Sequence, residues 1–230
     1  DHQEGSHVRW IEWSSNSKRS NRNLIIQSMP IEPGTTMRNA LFSEMDTLIL
    51  TSATLSTLGS FDFVKTRFGF GSDETDPGSR NLTLTEMMLA SEFDFGTRSL
   101  LAIPTDFPDV RNSGVLHRER TAEVIAEMAR HVNGGVLVLC TSWESLVEIT
   151  QLLREIPNLK LPILVQGEDT RTRLLEKHMK NSKGVLMGVG SFWEGIDLPG
   201  AALRAVIIPR IPFSVPSTPI NAARIDRYSS

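Results

Sequence analysis

Three short segments combine hydroxyl groups, backbone N–H groups and aromatic rings, and each follows an apolar run that predicts a buried β-strand. They are Thr141-Ser142-Trp143, Gln166-Gly167-Glu168 and the longer Gly190-Ser191-Phe192-Trp193-Glu194. Hydroxyls and the free N–H groups at helix starts bind phosphate oxygens. Aromatic rings stack on nucleobases. The residue types therefore predict contacts with a ligand that carries phosphates and bases.

The elements around these segments predict an α/β fold with one binding edge. Apolar strands are predicted at 136–140, 161–166, 184–189 and 204–208, with helical patterns at 118–132, from Thr141 to Ile156, and at 170–180. Alternating strands and helices with continuous apolar strands indicate a parallel β-sheet with helices on both faces. Such sheets bind ligands beyond the carboxyl ends of their strands. Thr141 and Glu144 are spaced as a capping box for the second helix.

The first half of the chain is less regular. Strands are predicted at 7–13 and 24–27 on either side of a basic loop, and helices at 35–45 and 60–70. A buried strand is predicted at 46–50, running into the sequence TSATL, and a loop at 71–81. Three isolated histidines are expected to lie solvated on helix surfaces, namely His117, His131 and His178.

Composition excludes several classes of protein and site. The 24 basic and 27 acidic residues give a net charge of −3, so no global positive field attracts nucleic acid. The single cysteine, Cys140, excludes a disulfide framework or a four-cysteine metal or iron–sulfur site. No apolar run approaches the roughly 18 residues of a membrane span, and we expect a cytoplasmic protein. Because the chain does not begin with Met, we expect it to be part of a longer protein.

The sequence also lacks a phosphate loop. No lysine follows a glycine, so the G-x-x-x-x-G-K-[ST] motif is absent. We therefore expect no ATP hydrolysis by this chain alone, no catalytic residue within it and no metal site.

Several segments, in order, resemble the C-terminal motor region of the DinG family of superfamily 2 DNA helicases, which are related to the XPD helicase. They are DTLILTSATLSTLGSF, GGVLVLCTSWESL, ILVQG and GVLMGVGSFWEGIDLPG followed by VIIPRIPFSVPSTP. TSATL is similar to motif III, LCTSWESL to motif IV and GSFWEGIDLPG to motif V. The resemblance implies a RecA-like helicase domain of an enzyme that is ATP-dependent and moves 5′ to 3′. The arginines of motif VI would follow beyond residue 230.

The resemblance also implies a role for each motif. Thr141, Ser142, Ser191, Phe192 and Trp193 would bind DNA or support its binding side, and Gln166 and Gly167 would lie near it. The nucleotide cleft and its coupling to DNA would involve the following residues of motifs III and V: Ser52, Ala53, Thr54, Glu194, Gly195 and Asp197. From the residues alone, Trp193 is equally a core anchor, Thr141 a helix cap and Asp197 a turn former.

The implied partners are single-stranded DNA and the first RecA-like motor domain of the same protein, with the protein acting as a monomer away from membranes. ATP and Mg²⁺ would bind in the intact protein, and an iron–sulfur cluster would belong to another part of it. Residues 1–58 would complete the sheet or belong to the first motor domain, and residues 59–230 would form the RecA-like C-terminal domain. Two alternatives stay open. One is a non-catalytic RecA-like module that binds DNA or a protein, and the other is a Rossmann domain, against which the absence of G-x-G-x-x-G argues.

Overall fold

A computed structural model of the chain describes residues 7–15, 22–70, 83–213 and 216–229. The chain divides into two compact units, one formed by residues 1–99 with 214–230 and the other by residues 100–213. The predicted loop at 71–81 and most of the basic loop before Leu24 lie outside the described residues.

The unit formed by residues 100–213 contains a parallel four-stranded sheet. Its strands are β3 (Val136–Leu139), β4 (Ile163–Val165), β5 (Val185–Gly188) and β6 (Ala205–Ile207), in the order β4-β5-β3-β6. The helices are α4 (Gly114–His131), α5 (Trp143–Glu155) and α6 (Arg171–Lys180). This arrangement confirms the α/β fold class with a parallel sheet, and every predicted strand and helix of this unit is present.

Alternate residues of β3 lie in two different cores. Val136 and Val138 pack with residues of α4 and α5, including Ile125 and Leu146. Leu137 and Leu139 belong to a second cluster, which contains one residue of α6 and three residues between β5 and β6: Leu174, Phe192, Leu198 and Ala202. The sheet is therefore covered on both faces, and this explains why its strands are continuously apolar.

His178 is buried in this unit, so its predicted solvation is wrong. Its side chain is 1% exposed, and Nε2 lies 2.8 Å from the carbonyl oxygen of Ala202. Gly135 is required here because a Cβ at this position would lie 2.5 Å from His178 Nε2. His117 is also buried, with its ring edge-on to Phe107, whereas His131 is exposed as predicted. The helical pattern predicts one buried stripe on each helix. It does not predict the contacts that bury histidines at the margin of that stripe.

Acid should destabilise the fold through His178. Burial lowers the pKa of His178 below 6.5, and its Nδ1 has no hydrogen-bond partner among the described residues. The unfolded chain therefore takes up a proton first as pH falls. The contribution of His178 is fully present above pH 6.5 and is lost below it, by at most about 1.4 kcal/mol per pH unit. Urea unfolding at pH 7.5 and 5.5 measures the loss.

Variants of one buried and one exposed histidine test this prediction. In His178→Gln the loss of stability between the two pH values should shrink, because the glutamine does not titrate. His131→Gln is the matched surface variant, because His131 is 77% exposed. An unchanged pH dependence in His178→Gln would contradict the burial of a neutral imidazole.

The other unit contains a hairpin and short helices. Strands β1 (His7–Ser15) and β2 (Arg22–Pro30) pair antiparallel, as the sequence predicts, although both are longer. Helices α1 (Gly34–Ala40) and α2 (Asp62–Phe68) correspond to predicted helices, and α3 (Phe95–Arg98) and α7 (Pro219–Ser229) were not predicted. The strand predicted at 46–50 is wrong: these residues form no strand and are exposed, with Ile49 84% exposed. Among the described residues, no strand pairs with them.

Candidate functional site

The carboxyl ends of β3, β4 and β5 form one edge of the parallel sheet, and the three sequence segments rich in hydroxyls and aromatics lie there. Thr141 and Ser142 are exposed between β3 and α5. Ser142, rather than Thr141, caps α5 by accepting a hydrogen bond from the backbone N of Ser145 at 3.1 Å. This corrects the predicted capping box by one residue. The Thr141 hydroxyl has no partner among the described residues and is available to a ligand.

Trp143 presents an aromatic surface at the same edge. It begins α5 and its side chain is 54% exposed. One side of the indole lies close to Gly167, where a Cβ would be 3.5 Å from Trp143 Cζ3. Gly167 has a φ of +98°. The exposed side of the ring has the area and position to contact a base.

The loop that follows β5 is anchored by Phe192, which is 1% exposed. Its ring lies against Gly188, and any larger residue at position 188 would collide with it. In this arrangement Phe192 cannot stack on DNA directly. It can act on DNA only by holding the loop in place, which is the supporting part of the role expected for it.

Trp193 connects this loop to the end of β3. The side chain is half-buried, and Nε1 donates a hydrogen bond of 3.0 Å to the carbonyl oxygen of Cys140. Cys140 immediately precedes Thr141, so the indole holds the two loops together at the position where Thr141 is exposed. Of the two interpretations of Trp193, the geometry favours the anchor. Burial raises the pKa of the Cys140 thiol to about 11, so the thiol stays protonated at neutral pH.

Gln166 connects the end of β4 to the same loop. Its Oε1 accepts a hydrogen bond of 2.7 Å from the backbone N of Val189, and its Nε2 donates to Ser191 Oγ at 3.4 Å. Ser191 is exposed. The structure thus places Gln166 beside Ser191, and its direct contacts are with the protein.

Arg171 is a site residue that the sequence reasoning missed. Its Nη2 donates to the carbonyl oxygens of Glu194 at 3.1 Å and Gly195 at 2.6 Å. Gly195 has a φ of +65°, a conformation that favours glycine. Both carbonyl groups thus face Arg171. The side chains of Glu194 and Asp197 are exposed, and neither has an ion-pair partner in the described part of the chain. Two arginines, at 171 and 173, begin the helix, but no local pattern distinguishes the one that reaches the loop.

The acidic residues after β4 are paired with basic side chains. Arg154 Nη2 donates to both carboxylate oxygens of Glu168, at 2.7 and 2.8 Å. Lys177 Nζ lies 2.7 Å from Asp169 Oδ2. The hydrogen bond from Lys177 lowers the pKa of Asp169. These pairs neutralise the acidic residues that follow β4, whereas Glu194 and Asp197 after β5 stay unpaired among the described residues.

The three residues expected in motif III belong to the other unit. Ser52, Ala53 and Thr54 are exposed. Ser52 Oγ accepts a hydrogen bond of 3.1 Å from the backbone N of Thr54 and lies 3.0 Å from Thr54 Oγ1. Both hydroxyls thus lie in one local turn.

Comparison with known proteins identifies the family. Residues 125–230 match the family model of the helicase C-terminal domain. The ATP-dependent DNA helicase YoaA of Haemophilus influenzae is 34% identical over 77% of this chain and 26% of its own length. The ATP-dependent DNA helicase DinG of Photobacterium profundum is 32% identical over 97% of this chain and 31% of its own length. The chain belongs to the DinG helicase family. The match supports a C-terminal region of that family, as the sequence motifs indicate.

DinG-family relatives differ in their named activities and are much longer than this chain. The 3'-5' exonuclease DinG of Bacillus subtilis is 29% identical over 94% of this chain and 23% of its own length. The chain thus spans about a quarter to a third of the length of these relatives. Within the described ranges, no helix is long and apolar enough to cross a membrane. No group of three or more metal-binding side chains occurs in those ranges either.

Proposed function

We propose that this DinG-family region is the second motor domain of an ATP-dependent DNA helicase that moves 5′ to 3′ in DNA repair or replication. In this proposal, single-stranded DNA crosses the edge formed by the ends of β3, β4 and β5. One observation carries the proposal: Trp193 Nε1 bonds to Cys140 O, so the loops of motifs IV and V are held side by side. A motor needs both loops to respond together when a nucleotide binds.

On the DNA side, each residue has a distinct part. The hydroxyl of Thr141 and the N–H groups at the start of α5 donate to a phosphate, with Ser142 fixing the helix start. Ser191, held beside Gln166, offers a second hydroxyl. Phe192 supports the loop from the core, and Trp193 ties it to β3. The exposed indole of Trp143 supports a contact with a base.

On the nucleotide side, motif V presents carboxylates. Glu194 and Asp197 are exposed and can bind ribose hydroxyls or orient an arginine when the two motor domains close on ATP. Arg171 holds the backbone at Glu194 and Gly195 so that these carboxylates face outward. Ser52, Ala53 and Thr54 couple the state of the nucleotide to the grip on DNA, and residues 1–58 belong to the first motor domain.

ATP and Mg²⁺ would be held mainly by other parts of the protein. The sequence has no phosphate-loop lysine, so the residues present fit the ribose side of ATP and not its phosphates. ATP would supply the energy of phosphate hydrolysis when bound. An iron–sulfur cluster would also lie outside this chain, because Cys140 is its only cysteine. We further propose that the protein acts as a cytoplasmic monomer.

A binding and turnover assay on the purified chain tests the proposal. We expect weak, sequence-independent binding of a fluorescent dT12 oligonucleotide with a mild salt dependence, because neutral donors release few counterions. We also expect no ATP hydrolysis with or without dT12. DNA-stimulated hydrolysis by this chain would contradict the assignment of phosphate chemistry to another domain, and absence of any dT12 binding would contradict the DNA-binding edge. If the longer protein lacks a P-loop, the alternative of a non-catalytic module would replace the motor.

A further inference from the structure

A cavity opens beside Thr141 in the unit formed by residues 100–213, at the carboxyl ends of β3 and β6. It lies next to the edge assigned to DNA, but most of its lining belongs to neither motif IV nor motif V. The residues that line it include His117, Arg118, Thr141, Ser145, Pro209 and Arg210. None of these lining residues, all within the described part of the chain, is acidic.

Two arginines give the cavity a positive charge. Arg118 pairs with Glu148, Nε lying 2.5 Å from Oε2, and its Nη1 lies near Gly114. Arg210 is exposed and has no carboxylate within ion-pair distance in the described ranges. One full positive charge therefore remains at the cavity after Arg118 and Glu148 neutralise each other.

The pKa of His117, which also lines the cavity, responds to these two arginines. Burial lowers the pKa of His117, and the charges of Arg118 and Arg210 lower it further. The backbone of Pro209 and the charge of Asp109 act in the opposite direction and raise this pKa. The Asp109 carboxylate already accepts hydrogen bonds from the Arg111 backbone and the Asn112 side chain, at 3.0 and 3.1 Å. At neutral pH the imidazole is uncharged, so the net positive charge of the cavity comes from Arg210.

Hydroxyl donors complete the lining. Thr141 Oγ1 has no partner among the described residues. Ser145 Oγ accepts from Ser142 Oγ at 3.1 Å, so its own hydrogen is free to be donated. Guanidinium and hydroxyl donors around a cavity without acidic lining match the acceptor oxygens of a phosphate group.

We propose that this cavity binds one phosphate group of the single strand, with Arg210 as its charged ligand, Arg118 as a second guanidinium, and Thr141 and Ser145 as hydroxyl donors. The inference rests on the proposed function, since it adds a charged subsite to an edge otherwise formed by neutral donors. Arg210 follows β6 in the sequence IPRIPF, and Arg118 lies on α4, so the subsite extends the DNA path from β3 toward β6.

Salt titration of dT12 binding tests the role of Arg210. Each phosphate contact made by a cationic side chain on single-stranded DNA contributes about −0.7 to the slope of log K against log salt. Arg210→Gln should therefore make the slope shallower by about 0.7 and weaken binding at low salt by about 10-fold, as expected for losing a charge-assisted hydrogen bond. Arg210→Lys should keep the slope and recover part of the affinity.

The control removes a charge from the opposite edge of the sheet. Lys183 is exposed and immediately precedes Gly184 at the amino end of β5. Lys183→Gln should leave both the slope and the affinity close to those of the parent chain. Far-ultraviolet circular dichroism and the thermal midpoint check that every variant is folded.

The outcomes separate this inference from the proposed function. If the parent chain binds dT12 and Arg210→Gln matches it in slope and affinity, the cavity is not a phosphate subsite, although the DNA-binding edge stands. If the parent chain binds no dT12, both fail. Calorimetry with inorganic phosphate and with ATP at constant ionic strength tests the source of the phosphate. Arg210-dependent binding of either one together with no binding of dT12 would assign the cavity to a free anion and overturn the proposal.

Discussion

Replacing Phe192 with alanine is expected to lower the free energy of unfolding by about 3–5 kcal/mol, the usual cost of removing a buried phenylalanine ring. The ring is 1% exposed and packs in the cluster that contains Leu137, Leu139 and Leu186. Because Gly188 lies directly beneath it, no side chain at that position can move into the space that the ring leaves. The cavity should therefore persist. Urea denaturation followed by far-ultraviolet circular dichroism measures the change.

Phe213→Ala is the matched control, since Phe213 is in the same unit and 79% exposed. It should change the free energy of unfolding by less than about 0.5 kcal/mol. If Phe192→Ala cost no more than this control, the ring would not be part of the core. A direct contact between Phe192 and DNA would then again be possible. Another residue would have to anchor the loop that follows β5.

The sheet of residues 100–213 was predictable from the sequence because its strands are apolar on both faces. In β3 every residue is apolar, Val136 and Val138 for one layer of helices and Leu137 and Leu139 for the other. A continuous apolar run of this length between helical patterns is typical of a central parallel strand. In β3 the apolar composition of the sequence therefore matches the burial of the strand on both faces.

The prediction at 46–50 failed because an apolar run specifies a strand only where a partner strand is present. Ile49 is 84% exposed and Leu48 and Leu50 are also exposed, although their sequence is as apolar as that of β4. A strand is defined by its hydrogen-bonded neighbour, and none is found for these residues in the described ranges. Composition alone does not contain that information.

The candidate site was predictable where its residues follow strand ends, and unpredictable where distant residues support it. Thr141, Ser142 and Ser191 lie at the expected edge because parallel strands end together. The contacts of Arg171 with Gly195 and of Trp193 with Cys140 join residues that are far apart in sequence. Arg118 and Arg210 meet at one cavity from α4 and from the segment after β6. Such pairings depend on loop conformation, which no periodic pattern encodes.

The largest functional effect is expected from Asp197→Ala in the full-length protein that would contain the P-loop. We expect ATP turnover to fall by about 10- to 150-fold, the equivalent of losing a hydrogen bond to a charged group worth about 1.5–3 kcal/mol. Binding of single-stranded DNA should stay within about twofold of the parent, because Asp197 is exposed and the proposed function assigns the DNA contacts of this loop to other residues. Steady-state turnover with saturating DNA, together with anisotropy titration of dT12, measures both quantities.

Glu176→Ala is the control for the loss of one negative charge, because Glu176 is exposed on α6 and outside motif V. It should leave both turnover and DNA affinity unchanged. The two faces of the motif V loop are distinguishable in this experiment because Arg171 fixes the backbone between them, bonding to the carbonyls of Glu194 and Gly195. If Asp197→Ala instead abolished DNA binding and spared turnover, the carboxylate would face the strand. The nucleotide cleft would then have to lie on the side of the loop assigned here to Ser191 and Trp193.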